Sequence, residues 1–188
     1  MTVLTSPRLT LRHWRAADLA PFAALNADPV TMQFLSRCLS RPESDAFAQR
    51  AQAELAQRGW GLWALEHSAR AEFLGFVGLA VPAFEARFTP CVEVGWRLAR
   101  AHWGQGYATE AARACLSCAF ETLALAEVVS FTSVDNARSA AVMRRLGMRA
   151  DGGFEHPRLP PGHRLRAHLL YRLTREDWRR EAERAAPS

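Results

Sequence analysis

Cysteine is scarce in this chain of 188 residues, and no apolar run approaches the roughly 20 residues that a membrane span needs. Met1–Trp14 alternates apolar and polar residues and holds no cleavable hydrophobic segment, so a cytoplasmic protein with no membrane partner is expected. The four cysteines are Cys38, Cys91, Cys115 and Cys118. Cys115 and Cys118 form a C-x-x-C, but a second one is lacking. Both sit in an apolar helical pattern, where free thiols pack as small hydrophobes. No metal is expected. Internal repeats and low-complexity linkers are also missing. So is any Gly-Lys-Ser/Thr, which argues against an ATP-type phosphate loop.

What is present suits one domain over 1–188, with a C-terminal helix or tail over 178–188. About half of the chain (49%) is apolar, enough for a sizeable core. The net charge is +5, with the arginines scattered. That balance permits an anionic ligand without demanding nucleic acid. Arg175–Arg184 is interleaved with Glu176, Asp177, Glu181 and Glu183, the pattern of a solvated helix with internal ion pairs.

Periodicity gives the element order. Arg8–His13 alternates as a strand, with Leu9, Leu11 and His13 on one face and Arg8, Thr10 and Arg12 on the other. Ala16–Asn26 has helical spacing. Ser40-Arg-Pro-Glu43 resembles a capping box opening a helix that Gly59 ends. Trp60–Glu66, Phe73–Val81 and Cys91–Leu98 follow as strands without intervening helices, which predicts an antiparallel meander. Tyr107–Leu123 is a helix, Glu127–Val134 a strand, and Asn136–Leu146 a helix closed by Gly147. Strands near Met148–Phe154 and over Arg164–Leu173 complete a mixed α/β order. Trp14, Trp60, Trp63 and Trp178 are expected in the core.

The segment Glu93-Val-Gly-Trp-Arg-Leu-Ala-Arg-Ala-His-Trp-Gly-Gln-Gly-Tyr-Ala-Thr-Glu110 carries the most chemistry. A strand ends, a loop with two glycines follows, and a long helix begins. Unpaired amides and partial positive charge at a helix N-terminus attract anions, and glycines let a phosphate approach the backbone. Strand, Gly-x-Gly and helix together suit a pyrophosphate. The dinucleotide fingerprint would need a third glycine where Thr109 stands. From this motif alone, a plain tight turn into a helix stands beside the phosphate reading.

Trp103-Gly-Gln-Gly-Tyr-Ala108-Thr-Glu-Ala resembles the acetyl-CoA loop of the GNAT acetyltransferase family. The likeness is nearest to the branch that acetylates the N-terminal alanine or serine of ribosomal proteins. Pro7-Arg-Leu-Thr-Leu-Arg12, Asp135-Asn-x-Arg-Ser139, Arg145-Leu-Gly-Met148, and His168-Leu-Leu-Tyr-Arg-Leu173 with Asp177-Trp178 resemble that branch in the same order. Trp103 departs from the Gln or Arg usual in the wider family and is typical of the branch. The resemblance implies an α/β (α+β) GNAT fold, with a central, mostly antiparallel mixed sheet of about seven strands flanked by helices. It implies direct acetyl transfer from acetyl-CoA to a primary amine.

The resemblance also implies the site residues. Trp96, Arg97 and Leu98 lie on the strand that pairs with the pantetheine arm, and an N–H of that strand would serve the oxyanion. Trp103, Gly104, Gln105, Gly106, Tyr107 and Ala108 would hold the pyrophosphate, and Asn136 and Ser139 would reach the coenzyme from the next helix. Glu93 is the candidate base, against a plain ion pair with Arg97 on the same face. Met143 stands where many relatives carry a tyrosine acid; Ser139 is the nearest replacement as a donor to sulfur, with unassisted departure of the thiolate as the alternative. His156 and His163 lie in a loop rich in Pro and Arg that reads first as a rigid surface segment and second as an acceptor wall. The partners implied are acetyl-CoA and an amine, either a protein N-terminus or a small molecule such as a polyamine, amino acid or antibiotic; a homodimer is compatible. Rival classes are a non-catalytic coenzyme-binding module and a nucleotide-dependent kinase or reductase.

Overall fold

A computed structural model describes residues 2–185; of the expected C-terminal tail, 186–188 lie outside the described residues. The elements run β1 (Leu4–Thr5), β2 (Leu9–Arg12), α1 (Leu19–Ala27), α2 (Arg41–Arg58), β3 (Leu62–His67), β4 (Glu72–Ala80), β5 (Glu93–Leu98), α3 (Tyr107–Ser117), β6 (Glu127–Ser133), α4 (Ala137–Arg145), β7 (Arg149–Glu155), β8 (Ala167–Thr174) and α5 (Arg175–Ala185). The eight strands form one sheet in the order β1-β2-β3-β4-β5-β6-β8-β7. The strand beyond the expected seven is β1, whose two residues are too short to show a period. The expected helix Tyr107–Leu123 is straight to Ser117 and then widens into a π-turn over Cys118–Thr122.

Local chemistry sets several ends. Ser40 caps α2: its N–H and Oγ both donate to Glu43 Oε2, at 2.8 and 2.7 Å. Gly59 closes that helix at φ 77°, and Gly147 follows α4 at φ 79°. The β3–β4–β5 meander is antiparallel throughout. Its strands approach closely at Gly78, where a Cβ would lie 2.1 Å from the carbonyl oxygen of Gly61. Only glycine fits there.

The sheet has two differently used faces. Phe76 opposes Arg97, Gly78 opposes Gly95 and Ala80 opposes Glu93, so these six point the same way. Phe76 packs on Phe22 of α1 and Phe47 of α2, with ring centres 6.0 and 5.3 Å apart. Val94 and Leu98 are buried on the opposite face, which also carries Trp96. Thr132 of β6 accepts a hydrogen bond from Asn136 at the start of α4, and α3 packs beside α4. Trp14 and Trp63 are buried, and Trp60 and Trp178 pack against the same core. Cys115 and Cys118 are buried and free. No helix among the described residues is long and apolar enough to cross a membrane.

One buried ion network pins the N-terminal strand. Arg12, opposite in face to Leu11, is itself only 5% exposed. Its guanidinium holds Asp18 through two bonds of 2.7 and 2.8 Å and Glu66 at 2.7 Å. Removing one member leaves the others charged in a poorly solvated place. Arg12→Met is expected to lower unfolding free energy by about 3–5 kcal/mol. Urea denaturation followed by circular dichroism checks this.

Candidate active site

β5 and β6 run parallel and pair at one position, Glu93 with Val129. There the N–H of Val129 donates to the carbonyl of Val92, at 3.0 Å. On the other edge, the N–H of Ala99 donates to the carbonyl of Leu74 at 2.9 Å. Amide groups alternate sides along a strand. Residues 93, 95, 97 and 99 therefore turn theirs to β4, and Val94, Trp96 and Leu98 turn theirs to β6. Past Glu93 the two strands diverge, and the β6-facing amide groups of Trp96 meet no strand. The opening leads into a cleft of about 1360 Å³.

The cleft continues to the start of α3. Leu98 accepts a hydrogen bond from Trp103 Nε1 at 2.8 Å, which holds the loop to the end of β5. Gly104 and Gly106 take φ of 76° and 81°, and Gly106 is the residue before the first turn of α3. Such angles are cheap only for glycine. A Cβ at Gly104 would meet nothing within 4 Å, so the loop stands open at that residue, which borders the cleft. Arg8 fixes this loop from the far end of the chain. Its N–H and Nε donate to Glu110, at 2.9 and 2.7 Å, and its Nη2 donates to the carbonyl of Gln105, at 3.1 Å.

Every residue assigned to the coenzyme from the sequence borders this one cleft: Trp96, Arg97, Leu98, the run Trp103–Ala108, Asn136 and Ser139. Arg97 is placed differently from its neighbours, with its amide groups turned to β4 and its side chain on the α1–α2 face. Asn136 caps α4. Its Oδ1 accepts from the Ser139 N–H at 3.2 Å, and its Nδ2 donates to Thr132 Oγ1 and Ser139 Oγ at 2.9 and 3.1 Å. With both amide hydrogens committed, Asn136 has only an oxygen lone pair left to offer the cleft. Ser139 Oγ accepts there, which leaves its own O–H free to donate. Met143 borders the cleft and is otherwise buried, so that position supplies no acid.

Glu93 stands apart. It is partly buried, and its side chain shares the face of Val129 rather than the cleft wall. Burial pushes its carboxyl up to about 7. The alternative of an ion pair with Arg97 is not what the structure shows. Arg97 Nη1 instead donates to Asn26 Oδ1 at 2.7 Å, and its guanidinium lies over Phe76 and Phe47. His156 and His163 do not border the cleft. His156 packs among Phe84, Phe131 and His168, and His163 Nδ1 accepts from the Leu165 N–H within its own turn.

Three arginines at the helix end of the cleft escaped the sequence reading. Arg138 lies over the Trp103 ring at 4.6 Å, and Arg113 Nη2 donates to the carbonyl of Arg145 at 2.9 Å. All three border the cleft. Arg138 was visible within Asp135-Asn-x-Arg-Ser139. Arg145 likewise opened the motif Arg145-Leu-Gly-Met148, whereas Arg113 gave no local signal, because it meets Arg145 only through packing of α3 on α4. A second group missed is Thr31, Gln33, Phe34 and Leu35, from the loop between α1 and α2.

Residues 8–149 match the Acetyltransferase (GNAT) domain family. The chain belongs to that family. A relative from Aspergillus fumigatus, an FsC-acetyl coenzyme A-N(2)-transacetylase, is 32% identical, over 96% of this chain and 81% of its own. The crystal structure of an acetyltransferase from Agrobacterium tumefaciens superposes with a TM-score of 0.73 at 31% identity, covering 92% of this chain and 94% of the other. A ribosomal L7/L12 alpha-N-protein acetyltransferase in complex with coenzyme A superposes at 0.74 with 19% identity, covering 92% and 98%; this last likeness is one of fold. The GNAT fold is thus shown, as an α/β arrangement with an eight-stranded mixed sheet flanked by five helices. This GNAT protein is an acetyl-CoA-dependent acyltransferase that transfers to nitrogen. Its own residues fit that co-substrate. The open edge of Trp96 suits an amide-bearing arm, and the αL glycines, helix start and arginine rim suit phosphates. The described residues hold no cluster suited to a metal ion.

Proposed function

We propose direct transfer in a ternary complex, with acetyl-CoA entering the β5–β6 opening and a primary amine approaching from the α1–α2 face. The observation that carries this reading is Gly95. It lies between Glu93 and Arg97 on that face, and a Cβ there would meet nothing within 4 Å. The open seat adjoins the strand edge that would carry the thioester. Two substrates held this close lose the entropic penalty of meeting.

Glu93, as carboxylate, takes a proton from the amine, directly or through water. The amine, neutral once that proton has left its ammonium form, then bonds through nitrogen to the thioester carbon as the carbon–sulfur bond breaks, and the further proton the nitrogen sheds goes to the thiolate, which leaves as the thiol. The Trp96 N–H donates to the carbonyl oxygen while negative charge builds there. Ser139 donates its O–H towards the departing sulfur, with Asn136 holding its oxygen in place. The Trp103–Ala108 amides and the arginine rim hold the pyrophosphate.

A small-molecule amine is the acceptor that the geometry supports. Arg164 Nη2 donates to the carbonyl of Gln33 at 2.7 Å, joining the β7–β8 loop to the α1–α2 loop beside the seat. That bridge narrows the approach for a polypeptide. The second reading, a protein N-terminal alanine or serine, draws on the branch-like motifs Pro7–Arg12 and Asp135–Ser139. A thiol-release assay with small amines and with peptides bearing free alanine or serine N-termini tests both. Release with the small amines alone is expected; release with the peptides alone contradicts the first reading. Gly95→Leu fills the seat without strain and is expected to raise the acceptor KM about tenfold or more while leaving acetyl-CoA affinity intact. Unchanged acceptor KM places the amine elsewhere.

A further inference from the structure

The acceptor side of the cleft contains a positive charge with no anion to meet it. Arg97 borders the cleft and forms no ion pair with any described residue. Its surroundings are unusually fixed. Asn26 and Ser44 are fully buried, and Asn26 Nδ2 donates to Ser44 Oγ at 2.9 Å. This turns the Asn26 oxygen to Arg97 Nη1, 2.7 Å away. Phe47 and Phe76 lie 5.6 and 5.3 Å from the guanidinium carbon and hold its plane. Burial lowers the guanidinium to about 10. A nearby carboxylate would oppose that shift, and none contributes. Glu93 is the acidic group on the same strand face, roughly 13 Å away along β5 at about 3.3 Å per residue.

A guanidinium has five N–H donors, and a single hydrogen bond to Asn26 leaves most of them unused. A cation held rigid, poorly solvated and underused is prepared for an anion. Arg97 shares its sheet face with the open seat over Gly95. We propose that Arg97 is the acceptor's anion receptor and that the acceptor is a small primary amine bearing a carboxylate. Two parallel N–H···O bonds to that carboxylate would complete the guanidinium's set. The amine would then lie over Gly95, towards Glu93. This proposal rests on the reading that the amine sits on the α1–α2 face and narrows it to one substrate class. It also explains why Arg97 is held by a neutral amide rather than by an acid, since a built-in carboxylate would occupy the donors.

The test is thiol release from acetyl-CoA with a panel of amino acids, each against its own carboxamide. The wild type is expected to favour the acids by about a hundredfold in kcat/KM, mostly through KM. Arg97→Gln removes the charge and keeps a polar amide on that strand face. It is expected to abolish the preference, the acids losing about a hundredfold in kcat/KM and the carboxamides far less. A mere strut between β5 and the helices would slow both substrates alike, or lower the melting temperature, and leave the acid preference standing. Should Arg97→Gln not fold, the wild-type ratio decides alone: equal rates for acids and carboxamides overturn the proposal. Faster turnover of peptides with acidic side chains than of any free amino acid overturns it too. No thiol release with any amine, despite acetyl-CoA binding, overturns the transfer reading itself and is distinct from equal rates.

Discussion

Glu93→Gln is expected to lower kcat by about a hundred- to ten-thousandfold with little change in acetyl-CoA affinity. The carboxyl is raised to about 7 by burial, since the uncharged form tolerates a poorly solvated site better. A base acts in its deprotonated form, so wild-type turnover rises as pH passes upward through about 7. The Gln variant loses that limb. Stability runs the other way. The folded carboxyl binds a proton that the unfolded chain releases at lower pH, so stability falls as pH rises from the ordinary carboxylate range to about 7. Glu93→Gln has no such loss and is expected to melt no lower than the wild type at pH 8. A variant that is stable but inactive separates chemistry from folding. A fully active variant with an unchanged pH profile removes Glu93 from the mechanism.

Gly106→Val is expected to weaken acetyl-CoA binding by about a hundredfold. The residue sits at φ 81°, where a β-branched side chain is strained by about 1–3 kcal/mol. Its Cβ would come into van der Waals contact with Arg8 Nη2, 3.5 Å away, which holds the carbonyl of Gln105. The loop would relax away from the geometry that presents its amides at the start of α3. The added methyl groups would also crowd the approach of phosphate to the backbone. Calorimetric titration reads the effect, and an unchanged dissociation constant would move the pyrophosphate elsewhere.

Much of the site was legible because its parts are local. Gly104-Gln-Gly106 after a strand and before a helix suits an anion within a few residues, and the structure brings that loop to the cleft. Period-two alternation over Cys91–Leu98 places Glu93 and Trp96 on opposite faces, and the structure keeps them there. Other features depend on contacts far apart in sequence. Arg12 alternates like a solvent-facing residue, yet α1 and β3 bring Asp18 and Glu66 over it. The placement of Arg97 follows from α1 and α2 folding back onto β5, so its likeness to a coenzyme-strand neighbour hid a side chain aimed at the other substrate. Arg8 and Glu110 are 102 residues apart, and neither alone signals a clamp on the phosphate loop. The loop between α1 and α2 has no periodicity to read, and its role at the cleft appears only once both helices are docked.

Titration of the purified wild-type protein with acetyl-CoA, with ATP and NAD as controls, decides whether the cleft takes this co-substrate. Saturable one-to-one binding of acetyl-CoA, weakened by Gly106→Val, is expected, with no heat from ATP or NAD. Binding of ATP or NAD with acetyl-CoA ignored, by a folded sample, would contradict the assignment of the β5–β6 opening and the Trp103–Ala108 loop to acetyl-CoA.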